Sequence, residues 1–341
     1  MTVELLMIGS KRGRELLETA QLAEANGYDT IWIADERFYR DPYCLLTYLA
    51  CHTKKVNLGP CITDPFVRHP AITTTAMATL DDVSDGRAVL GFGAGISGFP
   101  QLGLEQKKAP VAMREAITLF RKLLAGGHVD YKGEIISFHD GELDFKPLRA
   151  HIPVHLASNG PLGQRVAGEV GDVAIMAGCG SPSEVEAFKA EVARGAERAG
   201  RDPSEIKLTA RLNTCISADP KAARDAVRVS AARYMASGPM KMNTLKEQGL
   251  ALPEEALAKV AGLPYSTDPS PYAELLPLIT DAHVDACTLA GTVEEVAEHV
   301  VELRRAGIDS FIVVPYAAQG ETPVDTILRF SNEVWPAAQT A

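Results

Sequence analysis

Eight short apolar runs, each leading into a longer amphipathic stretch, recur along this chain, and that alternation limits its fold more than any other feature. The runs are Val3–Ile8, Thr30–Ala34, Val56–Leu58, Arg87–Phe92, Ile152–Ala157, Val173–Met176, Ile206–Ser217 and Ser310–Val314. Their β-branched, near-continuous apolar character predicts strands buried on both faces, as in an all-parallel sheet. Helices are expected between them. Arg14–Asn26 carries small and apolar residues at helical spacing and is stopped by Asn26-Gly27, and Pro42 suits the first turn of a helix over Pro42–Cys51. His69–Val83, Leu162–Val170, Ser183–Ala199, Lys221–Ala236, Val293–Arg305 and Val324–Trp335 read the same way. Ala109–Ala125 sets Met113, Ala116, Ile117, Phe120 and Leu124 on one stripe, while Val129–Leu148 alternates and turns like a hairpin.

Strand and helix in alternation predict the α/β class. A count of eight is that of a (β/α)8 TIM barrel, with an open doubly wound sheet as the other arrangement of such units. Chemically loaded loops follow strands two, three, four, five and six, which suits the rim of a barrel better than a single crevice. The rhythm breaks only at 237–291, where helix fragments are separated by Gly-Pro, Leu-Pro and Asp-Pro-Ser-Pro. That stretch is expected to be a helical insertion between strands seven and eight, capping a single domain over 1–341.

Composition narrows the function. Lys and Arg total 34 against 44 Asp and Glu, a formal charge of −10 and a pI near 5.4, which disfavours binding to a phosphate backbone. No window reaches the ~20 apolar residues of a membrane span, and the opening MTVELLMIGSKRG is not expected to act as a secretory leader. The six cysteines contain no CxxC and read as reduced thiols of a cytoplasmic protein. Neither nucleic acid nor membrane is therefore an expected partner; a small-molecule substrate is.

The loaded loops each have two readings. Gly93, Gly95 and Gly98 match a dinucleotide fingerprint in letters, but such a site needs a helix opening on the third glycine, and Phe99-Pro100-Gln101-Leu102-Gly103 intervenes. LGPCITDPFVRHP, from Leu58, is either a functional bend or a rigid loop in which Arg68 pairs with Asp81 or Asp82. Asp35 and Glu36 end the second strand, as acid–base groups or as partners of Arg37 or Arg40. Ser158-Asn159-Gly160 and Gly178-Cys179-Gly180-Ser181 precede helices, as phosphate cradles or as plain caps. His151 and His155 flank Pro153 without an HExxH, and no metal site is expected; GxSxG and P-loop motifs are absent.

In order, TIWIADERFYRD, LGPCITDPFVRHPAITTTAMATLDDVSDGRAVLGFGAG, REAITLFRKLLAGGHVDYKGE and IPVHLASNGPLGQRVAGEVGDVAIMAG resemble the luciferase-like hydride-transfer family. The likeness is greatest to its methylenetetrahydromethanopterin reductase branch. It implies a (β/α)8 barrel and a flavin-type cofactor, coenzyme F420 or alternatively FMN. It also implies hydride transfer with the one-carbon unit of a pterin or folate carrier, or else the chemistry of an FMN-dependent two-component monooxygenase fed by a flavin reductase. In that family a non-prolyl cis peptide forms a bulge after the third strand; the matching bond here joins Cys61 to Ile62. By the same match Asp35 and Glu36 contact the ring edge as catalytic candidates. Thr63, Gly93, Gly95 and Ile96 line the cofactor site with the bulge, and Ala157, Ser158, Gly160, Ala177, Gly178 and Cys179 hold its chain and phosphate. The family often has His at the position of Glu36, and its first-strand carboxylate falls near Leu6, with Glu4 close by. A homo-oligomer, dimer or tetramer, is the implied assembly.

Overall fold

Each expected apolar run is a strand in the computed structural model, which describes residues 2–36, 38–95, 97–236, 245–260 and 269–340. Expectations placed on Arg37, Ile96, 237–244 and 261–268 lie outside the described residues. The chain divides into two compact units. One comprises Glu4–Ile175 with Phe188–Leu208, the other Met1–Val3, Met176–Ala187 and Thr209–Ala341.

In the first unit the parallel order runs from β1 (Thr2–Met7) to β2 (Thr30–Ile33) and on to β3 (Asn57–Pro60). Bridges Leu58↔Ala88 and Thr63↔Phe92 join β3 to β4 (Leu90–Gly93). Beyond it lie β7 (Val154–Ala157) and β8 (Val173–Ala177). The predicted excursion is an antiparallel hairpin of β5 (Val129–Lys132) and β6 (Ser137–Gly141). The helices α1 (Gly13–Ala25), α2 (Pro42–Ala50) and α3 (Pro70–Val83) follow the first three strands. Their starts obey local chemistry: Asp41 caps α2 by accepting from the Cys44 amide at 2.9 Å, with Pro42 in the first turn.

A single turn of helix, α4 (Phe99–Leu102), opens directly on Gly98, where the sequence suggested loop. Gly98 and Gly103 flank it at φ 77° and 65°, left-handed values that glycine adopts freely, so they start and stop the helix within one turn. The long stripe predicted over Ala109–Ala125 is α5, with Met113, Ala116, Ile117, Phe120 and Leu124 all buried. It is followed by α6 (Pro161–Val170) and α7 (Pro182–Arg198).

In the second unit β9 (Lys207–Ile216) pairs in parallel with β11 (Ser310–Pro315) from Thr209 onward. It also pairs with β10 (Leu289–Gly291), a strand inside the stretch expected to hold none. Three residues are too few to show a period, so only pairing with Thr214–Ile216 reveals it. The described part of the expected insertion packs on α8 (Pro220–Ala236) as one apolar cluster, where Leu252, Val260, Tyr272, Leu275 and Val284 meet Val227, Ala231 and Met235. The closing helix also differs from expectation. It runs Pro323–Arg329, widens into a π turn over Phe330–Val334, and continues through Trp335–Thr340. Pro336 supplies the reason, since it has no N–H for the carbonyl four residues back and its ring crowds that carbonyl; a wider turn relieves both.

All six cysteines are unpaired. No helix among the described residues is long and apolar enough to cross a membrane.

Candidate cofactor site

Register brings several expected site residues to one edge of the first unit. Met7 pairs with Ile33 and Ile33 with Pro60; Gly93 pairs with Ala157 and Ala157 with Ile175. These are carboxyl ends of parallel strands, the side on which α/β sheets carry their ligands. Past Pro60 the chain bulges. The Cys61 amide donates to the Ile33 carbonyl at 2.9 Å, and the Cys61–Ile62 peptide is cis, as the family resemblance implies. Thr63 then rejoins the sheet: its amide donates to the Gly91 carbonyl and its carbonyl accepts from the Gly93 amide, both at 3.0 Å.

The bulge sets Ile62 over Gly93. A Cβ placed on Gly93 would stand 2.4 Å from Ile62 Cδ1 and 3.0 Å from the Ala157 carbonyl oxygen. Ile62, Gly93 and Ala157 thus meet at an apolar ledge that exists only because position 93 has no side chain. One step deeper, Gly59 and Gly91 leave room for the fully buried Trp32, whose indole N–H donates to Glu4 Oε2 at 2.6 Å. His155, paired with Gly91, lies edge-on to that indole with centroids 5.0 Å apart. Burial pushes the His155 imidazole down to about 4, against a raising influence from Asp172, and its Nδ1 has no hydrogen-bond partner among the described residues. His151 lies 3.4 Å from the same Asp172 but is itself exposed, so the two histidines of the sequence pair serve different surroundings.

The bend after the bulge is built from turns and caps. Asp64 Oδ1 accepts from the Phe66 and Val67 amides at 2.8 and 2.9 Å. Arg68 pairs with Asp41 at 3.2 Å and stacks over Tyr43 at 4.4 Å. The expected pairing of Arg68 with Asp81 or Asp82 gives way because Arg149 clasps Asp81 through Nε and Nη2. His69 Nδ1 accepts from the Ala71 amide at 3.2 Å, so Nε2 carries the proton toward the Ser137 carbonyl at 3.1 Å; His69 is a cap and a clasp. Asp35 and Glu36 emerge half-buried from β2, and Arg40 Nη1 is engaged by the Gly9 and Ser10 carbonyls.

Beyond Ala157, the Ser158 hydroxyl lies 3.3 Å from both the amide and the carbonyl of Gly160, which caps α6. Gly163 lets that hydroxyl lie against the helix, since a Cβ there would be 2.1 Å from Ser158 Oγ. Gln164 was not legible as a site residue by motif. Its signal was a polar residue on the buried stripe shared with Ala167 and Gly168.

In the second unit the Gly178–Ser181 segment differs from the free-amide cradle that the sequence suggested. The Gly178 amide donates to the Arg211 carbonyl at 3.0 Å and the Gly180 amide to Glu184 Oε2 at 3.1 Å. Glu184, in the first turn of α7, puts a carboxylate where an anion would otherwise lie. Gly178 has φ 65° and packs against Tyr234, whose hydroxyl accepts from Arg211. Ala177 ends β8, and Cys179 is buried. Gly95 follows β4 at φ 71°, its carbonyl accepting from Gln106 Nε2 at 2.7 Å.

Comparison with known proteins agrees with this geometry. Residues 4–310 match the family model described as luciferase-like monooxygenase. The chain is 33% identical to the 5,10-methylenetetrahydromethanopterin reductase of Archaeoglobus fulgidus over 94% of its own length and 95% of that protein's. It is 31% identical to the F420-dependent glucose-6-phosphate dehydrogenase of Rhodococcus erythropolis over 72% and 79%. Among solved structures, the coenzyme F420 dependent tetrahydromethanopterin reductase of Methanopyrus kandleri superposes with a TM-score of 0.85 at 25% identity, covering 98% of each chain. The (β/α)8 class read from the strand alternation is the fold of this chain.

Proposed function

From the premise that this chain belongs to the luciferase-like monooxygenase family, we propose that it is a coenzyme F420-dependent oxidoreductase. It moves a hydride between that cofactor and the one-carbon unit of a pterin- or folate-type carrier. The reading is carried by the ledge at Ile62, Gly93 and Ala157, which meets the polar turn at Ser158–Gly160 on the same strand ends. A flat apolar ring and a hydroxylated, phosphorylated chain need those two surfaces side by side. The residues fit such a group: the glycine at 93 keeps the ledge open, and beside the turn Gln164 Oε1 of α6 is a buried acceptor with no partner among the described residues.

The bound cofactor supplies the hydride, or takes it, at its ring. The protein's own residues do the rest. Cys61 and Ile62 would back the ring and keep water from it, and Gly93 and Gly95 would let backbone approach it. Asp35 and Glu36, half-buried past the end of β2, would face a cationic, iminium-like carrier or hold a proton at its nitrogen. No protein nucleophile is required.

Spectral titration of the purified protein with F420 and with FMN tests the assignment. Tight binding of F420 and catalytic reduction of a methylene-pterin supports it; binding of neither cofactor overturns it. The family model's description favours one further reading, an FMN-dependent monooxygenase supplied by a flavin reductase. Oxygen consumption with reduced FMN, absent with reduced F420, would select it. We further propose that the enzyme is cytoplasmic and assembles as a homodimer, which light scattering at the mass of two chains checks.

A further inference from the structure

Gln164 is the fourth residue of α6 and only 5% exposed. Its Nε2 donates to the Asn159 carbonyl at 3.3 Å, which turns the side chain back onto the Ser158–Gly160 turn. That bond also fixes the orientation of the amide, because a reversed amide would set its oxygen against the Asn159 carbonyl. The other atom, Oε1, is buried and has no hydrogen-bond partner among the described residues. An acceptor held out of water without a donor is costly, so one kept beside this turn calls for a partner. The turn it faces follows Ala157 directly, and Ala157 pairs with Gly93 at the ledge. The first turn of α6 holds no acidic side chain, unlike that of α7, which Glu184 fills.

We propose that Gln164 is a cofactor-binding residue whose Oε1 accepts a hydrogen bond from a hydroxyl of the cofactor's polyol chain. The assignment rests on the cofactor reading above. The partner's chemistry follows from the atom: a carbonyl oxygen needs a donor, so a chain hydroxyl satisfies it and a phosphate oxygen does not. Gln164 thereby separates ligands with a hydroxylated chain from those with the same ring and none.

The test is equilibrium binding by absorbance and fluorescence, on the full chain, with three probes. These are F420, a deazaflavin bearing the ribityl chain without phosphate, and an N-methyl deazaflavin with no chain. Gln164→Met, similar in length but without an acceptor, is expected to raise Kd about tenfold for the first two and to leave the third unchanged. Gln164→Glu, which keeps an acceptor, is expected to bind the phosphate-free ribityl probe more tightly than Gln164→Met does. Circular dichroism confirms that each variant is folded, and either variant alone decides the matter. Unchanged Kd for all three probes with Gln164→Met, or equal weakening of all three, overturns the assignment while the cofactor reading stands. Failure of the wild-type protein to bind F420 or FMN overturns both.

Discussion

Two glycines in neighbouring roles show how finely position matters at the level of single residues. A Cβ on Gly91 would lie 2.3 Å from the Pro60 carbonyl oxygen, which is backbone within the sheet and has nowhere to go. A Cβ on Gly93 would lie 2.4 Å from Ile62 Cδ1, the far end of a side chain that can rotate aside. Gly91→Ala is therefore expected to lose about 3 kcal/mol of stability, and Gly93→Ala about 1 kcal/mol. The second should nevertheless weaken cofactor binding, because moving Ile62 removes the ledge. Denaturant midpoints and a cofactor titration on both variants check the pair, and the reverse ranking in stability would refute it. His155 supports a second expectation. Its imidazole titrates at about 4 in the folded protein against 6.5 in an exposed chain, because burial disfavours the cation. The unfolded state thus takes up the proton first as pH falls. The contribution is intact above 6.5 and is lost as pH drops toward 4, amounting to about 3 kcal/mol. His155→Gln should flatten the pH dependence of stability across that interval, measured by denaturant unfolding at stepped pH; parallel curves for both proteins would remove the argument. The sequence showed His155 only as half of a spaced pair, since its partners Trp32 and Gly91 come from other strands and are set by register. The Cys61–Ile62 bulge was legible because resemblance, not periodicity, pointed to it.

Elements were easier to read than their joints. Strand and helix alternation named every long element within a few residues, because buried parallel strands and amphipathic helices leave strong periods. The one-turn helix after Gly98, the three-residue β10 and the π turn at Phe330–Val334 were not legible, each being set by a neighbour or a proline and not by a pattern. Joints between elements are likewise made by polar contacts far apart in sequence. At the amino end of β4, Asp81 of α3 is 1% exposed and accepts from Arg149 Nε at 3.1 and 3.0 Å. It also accepts from the Ala88 amide at 3.2 Å, while Arg149 Nη2 donates to the Ala88 carbonyl at 2.7 Å. Arg149→Met leaves a buried carboxylate without its cation and is expected to cost about 3 kcal/mol. Adding Asp81→Asn, which removes the charge and still accepts from Ala88, should restore part of that loss. This joint lies at the opposite end of β4 from Gly93, so cofactor Kd should stay within about twofold for the folded single variant. Denaturant midpoints for the wild type and the single and double variants, with one titration each, decide it; a double variant weaker than the single would sink the clasp.

At the scale of the whole chain, a net charge of −10 and the absence of a P-loop or nucleophile elbow disfavoured some functions, and family likeness pointed to one. What neither supplied is which loop does the holding. Ser158–Gly160 and Gly178–Ser181 looked equivalent as glycine-rich turns before helices, and they are chemically different. The first has a Gly160 amide bonded to its neighbour Ser158 Oγ at 3.3 Å, and beside it the Gln164 oxygen, unpartnered among the described residues. In the second, the Gly178 and Gly180 amides are already bound at 3.0 and 3.1 Å, and Glu184 occupies the helix end. Hydrogen exchange can read that difference across the full chain. A ligand that binds only the closed form slows local opening by the factor 1 + [L]/Kd, about a hundredfold at a hundred times Kd. With F420 at that excess, amides of the 158–164 turn should slow by that order. The hairpin Val129–Gly141 should exchange at its original rate, and the Gly178 and Gly180 amides, protected beforehand, should change far less than the 158–164 turn. Strong slowing at Gly178–Ser181 with none at 158–164 would move the cofactor chain to the other turn, and with it the partner of the apolar ledge.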